Sequence, residues 1–291
     1  MDATAAPPTL SCRKVSKTFR RVPVLDGIDL ELARGERVAL IGSNGAGKTT
    51  LFRCLLGEYL HGGEIRVAGR DPRVDRTGVL KAVGFVPQLP PPLRMSVGLL
   101  IRFAAALCGS DPARIDAIAG RLGLELDAIR DRQFVRLSGG MKQKILIAIA
   151  LGRDSSILVM DEPAANLDPP ARKVFFELLA ERAGDATMLV SSHRLDEVST
   201  LVNRVVEMDR GRIVLDDRIA GQASLESRLV CRITVRQAEP ALVKALAAWN
   251  LRDQGGGLRW EGVIAGADRL RFLGTISRYS TQLDRLSLGE D

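Results

Sequence analysis

Short apolar runs rich in Val, Ile and Leu punctuate the chain, and each is followed by a stretch with helical spacing. RVALIG (residues 37–42), SSILVMDE (155–162) and ATMLVSSH (186–193) are such runs, long enough for buried strands and too short for buried helices. TTLFRCLLG, ARKVFFELLAERAG and RLDEVSTLVN come after them in turn, with apolar residues at three- and four-residue intervals. Strands and helices in alternation predict right-handed βαβ units and a mostly parallel sheet. Ahead of the first run, residues 10–15 and 28–32 alternate apolar with polar side chains, the pattern of antiparallel strands at an edge.

The rhythm breaks twice. Between residues 89 and 137 a proline cluster, LPPPL, is followed by the helical segments SVGLLIRFAAALCG and DPARIDAIAGRLG with no strand run between them. This reads as a helical insertion, with Asp111 as N-cap and Pro112 at the first helical position. Near residue 220 the alternation stops. Beyond it lie a strand-like CRITVRQ, a helix-like EPALVKALAAWN, a glycine turn at residues 255–257, a strand-like LRWEGV and a helical stretch over 269–286. The expected organisation is a flexible tail (1–9), an α/β unit (10–220, its helical part about 90–150) and a small α+β accessory unit (221–291).

Composition narrows this picture. Hydrophobic residues make up 46% of the chain but aromatics only 4%, so the core must be aliphatic, as suits a parallel sheet covered by helices. The formal charge of +7 fits a nucleic acid, an anionic membrane surface or merely an arginine-rich surface, and no Lys/Arg run favours any of these. Four cysteines (Cys12, Cys54, Cys108, Cys231) stand far apart without a C-x-x-C pair, which argues for reduced thiols. The start, MDATAAPPTL, lacks the basic and apolar regions of a secretory leader. The longest apolar window, VGLLIRFAAALCG, carries Arg102 in its middle, so no bilayer-spanning helix is expected.

The chemistry concentrates in GSNGAGKTT: Gly42, Ser43, Asn44, Gly45, Ala46, Gly47, Lys48, Thr49 and Thr50. It matches G-x-x-x-x-G-K-[ST] between a strand and a helix, where the glycines let successive N–H groups turn toward one anion. The helix after the loop adds the positive end of its dipole. Lys48 would reach the β- and γ-phosphates of ATP and Thr49 would hold Mg²⁺. A glycine-rich turn can also serve only to join strand to helix, but the Lys-Thr pair has no place in that role. ILVMDE then delivers Asp161 and Glu162 to the carboxyl end of a buried strand, where ligands sit in open α/β sheets. Asp161 would hold the metal through water, and Glu162 would act as general base on the attacking water.

LSGGMKQ (residues 137–143) lies between these two motifs, and with it the region from about 10 to 220 resembles the ATP-binding cassette (ABC) transporter ATPases. Glycines and a serine at a helix start offer donors to a phosphate. The resemblance implies that this phosphate belongs to a second copy, so Ser138, Gly139 and Gly140 imply a homodimer enclosing two ATP molecules. It also implies an adenine-stacking ring at Phe19, a metal- and water-sensing glutamine at Gln88, a γ-phosphate contact at His193 and cross-dimer communication at Asp168. Met141 stands where the family has glutamine, and Asn166 where it often has glycine or serine, departures that bear on kinetics rather than chemistry.

The resemblance further implies an ATPase subunit peripheral to the cytoplasmic face of the inner membrane. It would power a separate integral membrane permease, in a manner similar to bacterial export systems for copper-enzyme maturation, drugs or polysaccharides. The rival reading is a soluble mechanochemical ATPase acting on nucleic acid or ribosomes. One phosphate loop per chain and a short insertion without heptads speak against it, and no nucleic-acid partner is expected.

Overall fold

The alternating stretches at the start of the chain form a hairpin. β1 (Leu10–Phe19) runs antiparallel to β2 (Val22–Leu32), pairing Leu10 with Leu32 and Val15 with Ile28. In this computed structural model the described residues are 7–192, 198, 201–218, 228–265, 268–276, 279 and 282–290. Ile28, Leu30 and Leu32 lie on one face because side chains alternate along a strand, and a register shift between Cys12 and Val15 returns Val15 to the buried face that Leu10 and Cys12 occupy. β3 (Arg37–Ile41) leads through the glycine loop into α1 (Lys48–Leu55). β4 (Gly62–Val67) then closes the free edge of β1 to make a three-stranded antiparallel sheet. α2 (Arg76–Ala82), capped by Asp75, runs directly into β5 (Val83–Val86).

The insertion is helical, as its spacing predicts. α3 (Val97–Cys108) and α4 (Pro112–Arg121) precede α5 (Gly139–Leu151), and Asp111 accepts from the N–H of Ala113 at 2.9 Å to cap α4. Val97, Ile101, Ile115, Phe134 and Ile145 give this part an apolar cluster of its own.

β6 (Ile157–Asp161), α6 (Pro169–Glu181), β7 (Thr187–Ser191), β8 (Arg204–Asp209) and β9 (Arg212–Arg218) complete the α/β unit. The main sheet has the order β5-β6-β7-β3-β8-β9, parallel throughout except for β9 at the edge. Its two faces divide the core by strand alternation. Val38 and Leu40 of β3 pack with Phe52 and Leu55 of α1, whereas Ala39 and Ile41 pack with Ile147 of α5 and Phe175 of α6. The expected mostly parallel core with an antiparallel β edge is therefore what the chain forms. β4, β5, β8 and β9 add strands that hydrophobic runs did not single out.

Beyond residue 228 a second sheet forms from β10 (Arg228–Val235), β11 (Arg252–Gly255), β12 (Arg259–Ala265) and β13 (Leu283–Glu290). Its order is β11-β12-β10-β13, antiparallel throughout, with α7 (Pro240–Ala248) and α8 (Arg269–Ile276) packed on it. The helix expected over 269–286 is corrected by this sheet: it ends at Ile276, and Leu283–Glu290 is strand instead. Leu286 and Leu288 pair with Ile233 and Cys231 of β10, and that tertiary pairing overrides the helical reading of the leucine spacing. Leu273, Leu286 and Leu288 also pack against the α6 side of the main sheet, and Arg269 forms an ion pair with Asp217 on β9.

Candidate nucleotide site

The glycine loop lies at the carboxyl edge of the parallel strands. Gly42 has φ 146° and Gly47 φ 106°, conformations that side-chain-bearing residues rarely adopt. Space forbids a side chain at Gly42 as well, since a Cβ there would come within 2.2 Å of the Met208 carbonyl oxygen. Lys48 starts α1 and is 6% exposed, its ammonium donating to the carbonyl oxygens of Gly42 (2.6 Å) and Ser43 (3.1 Å). Burial pulls its pKa below the ordinary lysine range, while Glu162 and Asp161 draw it back. The lysine thus wraps the loop it belongs to and faces two carboxylates.

Asp161 ends β6 with both carboxylate oxygens engaged. Thr49 donates to Oδ2 at 2.6 Å and Ser191, at the end of the adjacent β7, donates to Oδ1 at 2.6 Å. The Ser191 hydroxyl also accepts from the backbone N–H of Glu162 at 2.8 Å. Glu162 stands at φ 45°, a left-handed conformation that is costly for a non-glycine residue and turns the chain away from the sheet as β6 ends. Ser191 is fully buried and ties Asp161 and Glu162 to β7. From the sequence, ATMLVSSH points only to His193. A hydroxyl in an apolar strand, beside the strand carrying Asp-Glu, is the signal that would have marked Ser191 as an organiser of the site.

Asn44, Gly45, Ala46, Gly47, Lys48, Thr49 and Thr50 line one pocket with Gln88, Asp161, Glu162 and Val24. Seven of the nine loop residues, the acidic pair and Gln88 share this pocket, Gly42 and Ser43 do not line it, and Val24 of β2 is an addition. Phe19 is not among the residues lining this pocket. It ends β1, 38% exposed, with its ring edge-on to Tyr59 at 5.2 Å and the Lys17 ammonium 4.8 Å from its centroid. His193 lies outside the described residues.

Ser138, Gly139 and Gly140 do not line the pocket either. Ser138 caps α5, accepting from the N–H of Met141, and both Ser138 and Gly139 are exposed. Gly140 passes close to the Asn166 carbonyl oxygen, so that an added Cβ would lie 3.0 Å from it. Gln143 is fully buried and donates through Nε2 to the Pro163 carbonyl at 3.0 Å. Lys144 pairs at 2.9 Å with Asp168, whose carboxylate also caps α6 by accepting from Ala171 at 2.9 Å. The Lys144 bond, with the cap, holds the Asp168 pKa below the usual carboxylate range. α5 is thereby fastened to the segment that succeeds β6.

Five parallel strands, a glycine loop turning into a helix beneath a buried lysine, and a strand-end Asp-Glu pair bonded to the loop threonine define a phosphate-loop nucleotide-binding protein. Comparison with known proteins narrows the class. The family model described as "ABC transporter" matches residues 25–165. The Nod factor export ATP-binding protein I of Paraburkholderia xenovorans is 35% identical over 76% of this chain and 73% of its own length. The aliphatic sulfonates import ATP-binding protein SsuB 1 of Nocardia farcinica is 36% identical over 73% of this chain and 83% of its own. Among solved structures, an ATP-binding subunit of an ABC transporter superposes with TM-score 0.66 at 27% identity, covering 72% of this chain and 90% of that one. The cbiO1 protein of Clostridium perfringens, part of the ABC transporter complex cbiONQ, gives TM-score 0.59 at 27% identity, covering 73% and 89%. The chain belongs to the ATP-binding cassette family and is an ATP-hydrolysing subunit of the ABC transporter kind. These relatives are named for export or import, and they lend nothing to the rival reading of a nucleic-acid or ribosome-acting ATPase. Among the described residues no helix is long and apolar enough to cross a membrane.

Proposed function

We propose that two copies of this chain close around two Mg-ATP molecules and drive a separate integral membrane permease from the cytoplasmic face of the inner membrane. One observation carries the pairing: Ser138 and Gly139 are exposed at the start of α5 and line no part of their own phosphate-loop pocket. A helix start is a ready anion site, and one that stands outside its own phosphate pocket is free to serve a phosphate held by another copy. Residues 10–220 act as the cassette, with the helical part at about 90–150, and residues 221–291 as an accessory unit.

In this reading the loop amides and Lys48 hold the β- and γ-phosphates, Phe19 meets the adenine, and Asp168 communicates with the second copy. Thr49, Asp161 and Gln88 would hold Mg²⁺. Their donor set of a hydroxyl, a carboxylate and an amide oxygen suits a hard cation, and the 2.6 Å Thr49–Asp161 bond brings two of these groups together. The ion would neutralise charge on the phosphates. Glu162 takes a proton from the attacking water, and His193 contacts the γ-phosphate. Phosphoryl transfer asks little covalent chemistry of a protein, so positioning supplies most of the acceleration.

The test is Glu162→Gln. It is expected to bind ATP as the parent does, to lose at least about a hundredfold in turnover, the scale set by general-base catalysis, and to accumulate as an ATP-bound dimer. Light scattering after size exclusion measures the last. A parent chain that remains monomeric with ATP and magnesium while hydrolysing at full rate would refute the pairing.

A further inference from the structure

The segment that follows α1 reaches back to the end of β1. Tyr59 is fastened at two points to Arg53, in the last turn of α1. Its N–H donates to the Arg53 carbonyl at 3.3 Å, and its hydroxyl accepts from the Arg53 guanidinium at 2.6 Å. The Tyr59 ring meets Phe19 edge to face, with centroids 5.2 Å apart and planes at 77°. Aromatic pairs favour this geometry because the positive edge of one ring faces the negative surface of the other. Lys17 joins the same cluster. Its ammonium donates to the Leu60 carbonyl at 2.7 Å and lies over both rings, 4.8 Å from the Phe19 centroid and 5.5 Å from that of Tyr59.

The cluster fixes a ring that the hairpin alone would leave loose. Phe19 is the last residue of β1 and 38% exposed, and Arg20 and Arg21 turn the chain at φ 45° and 70°. It pairs across the hairpin with Val22, two residues before Val24, which lines the nucleotide pocket. Val24 also presses on the glycine loop, since its carbonyl oxygen would lie 2.8 Å from a Cβ on Gly47. Two strand residues span about 7 Å, which puts Phe19 at the Val24 end of the pocket. Tyr59 itself lines no part of that pocket.

We propose that Tyr59 is a positioning residue for the nucleotide base: with Lys17 it sets the Phe19 ring before ATP arrives, one face covered by the ammonium and the other open to adenine. The proposal rests on the reading of Phe19 as the adenine-stacking ring. A side chain fixed beforehand gives up little rotamer freedom when a ligand settles on it, so the cluster strengthens binding. The gain scales with the base, because stacking on an aromatic ring is stronger for a purine than for a pyrimidine. Hydrolysis itself is spared, since the cluster stands apart from Glu162 and the phosphate cradle. α1 then serves both ends of the nucleotide, the phosphates through Lys48 and Thr49 at its start and the base through Arg53 and Tyr59 at its end.

Steady-state hydrolysis of ATP and of UTP is measured for the full chain and for Tyr59→Ala, Tyr59→Phe, Lys17→Ala and Phe19→Ala. Tyr59→Ala is expected to raise the KM for ATP about fivefold and to keep kcat within about twofold. It should also reduce the ATP-over-UTP ratio of kcat/KM about threefold. Tyr59→Phe keeps the ring and should stay within about twofold of the parent on every count. Lys17→Ala leaves both rings in place and should raise the KM for ATP about threefold. It keeps the test meaningful if Tyr59→Ala folds poorly. An unchanged KM for ATP in both variants overturns the proposal, as does an equal loss for ATP and UTP, the mark of a merely structural role. Phe19→Ala separates the two readings. If it raises the KM while Tyr59→Ala does not, only the role of Tyr59 fails. If it changes nothing, adenine stacking on Phe19 fails and this proposal with it.

Discussion

Replacing Ser191 by alanine removes one hydroxyl and two hydrogen bonds at the centre of the site. Asp161 loses the 2.6 Å bond to Oδ1, and the N–H of Glu162 loses its 2.8 Å acceptor. A hydrogen bond to a charged group is worth about 1.5–3 kcal/mol, and a buried donor left bare costs about 1–3 kcal/mol. Ser191 is fully buried, so solvent does not reach it in the native packing. Thr49 still holds Oδ2 of Asp161, which limits the loss, and about 3 kcal/mol in stability is the expected sum. At about 2–4 °C per kcal/mol this lowers the melting temperature by about 6–12 °C. Glu162 at φ 45° is held partly by this bond, so its carboxylate loses its fixed aim. If half of the loss falls on the transition state, turnover drops about tenfold, and about a hundredfold if most of it does. ATP affinity depends on the glycine loop and stays within a few-fold of the parent. Differential scanning fluorimetry and steady-state ATPase assays measure both effects. An alanine variant that melts and turns over like the parent would show that Ser191 is merely a small core residue.

Gly42→Ala and Gly45→Ala separate space from backbone strain. Gly42 combines φ 146° with a carbonyl oxygen 2.2 Å from the new methyl, so alanine there should abolish measurable ATP binding and cost about 4 kcal/mol. Gly45 has φ 85° but nothing within 4 Å, and alanine should cost only about 1–2 kcal/mol, read by chemical denaturation and fluorescent-nucleotide binding. Glu207 makes stability depend on pH in the direction opposite to that of a paired carboxylate. Its folded pKa of about 7 lies above the ordinary glutamate value of 4.5, so the native state holds the proton more tightly. Its contribution is full below about pH 4.5 and is lost as pH rises through about 7. Glu207→Gln should therefore match the parent near pH 4.5 and be more stable at pH 8, by at most about 3 kcal/mol. Urea denaturation at the two pH values decides it, and an equal difference at both would remove the argument.

The phosphate loop is legible in the sequence because its function is local: nine consecutive residues supply the turn, the amides and the lysine. The Asp-Glu strand is nearly as local, a buried β6 with its polar end in place. The features that escape sequence reading depend on neighbours distant in the chain. β9 has no fully buried residue, β8 carries Glu207 inside its apolar run, β4 opens with two glycines and β5 has only four residues, so none shows a clear strand signal. Leucines at 283, 286 and 288 fit a helix until β10 offers them a strand partner. Ser191 matters because β7 lies beside β6, a sheet adjacency that no spacing in the sequence encodes. Glu207 shares a cavity with residues 236 and 283–286, a neighbourhood that no spacing in the sequence encodes.

The two bonds from α5 to the segment after β6 join the helix that starts at Ser138 to the loop that follows Glu162. Gln143 grips Pro163 and Lys144 grips Asp168, while Ser138 waits at the same helix's open end. In the proposed dimer, a shift of Ser138 toward the second copy would drag the loop just past this copy's own Glu162, so the site that engages first would tug on its neighbour before any nucleotide is split there.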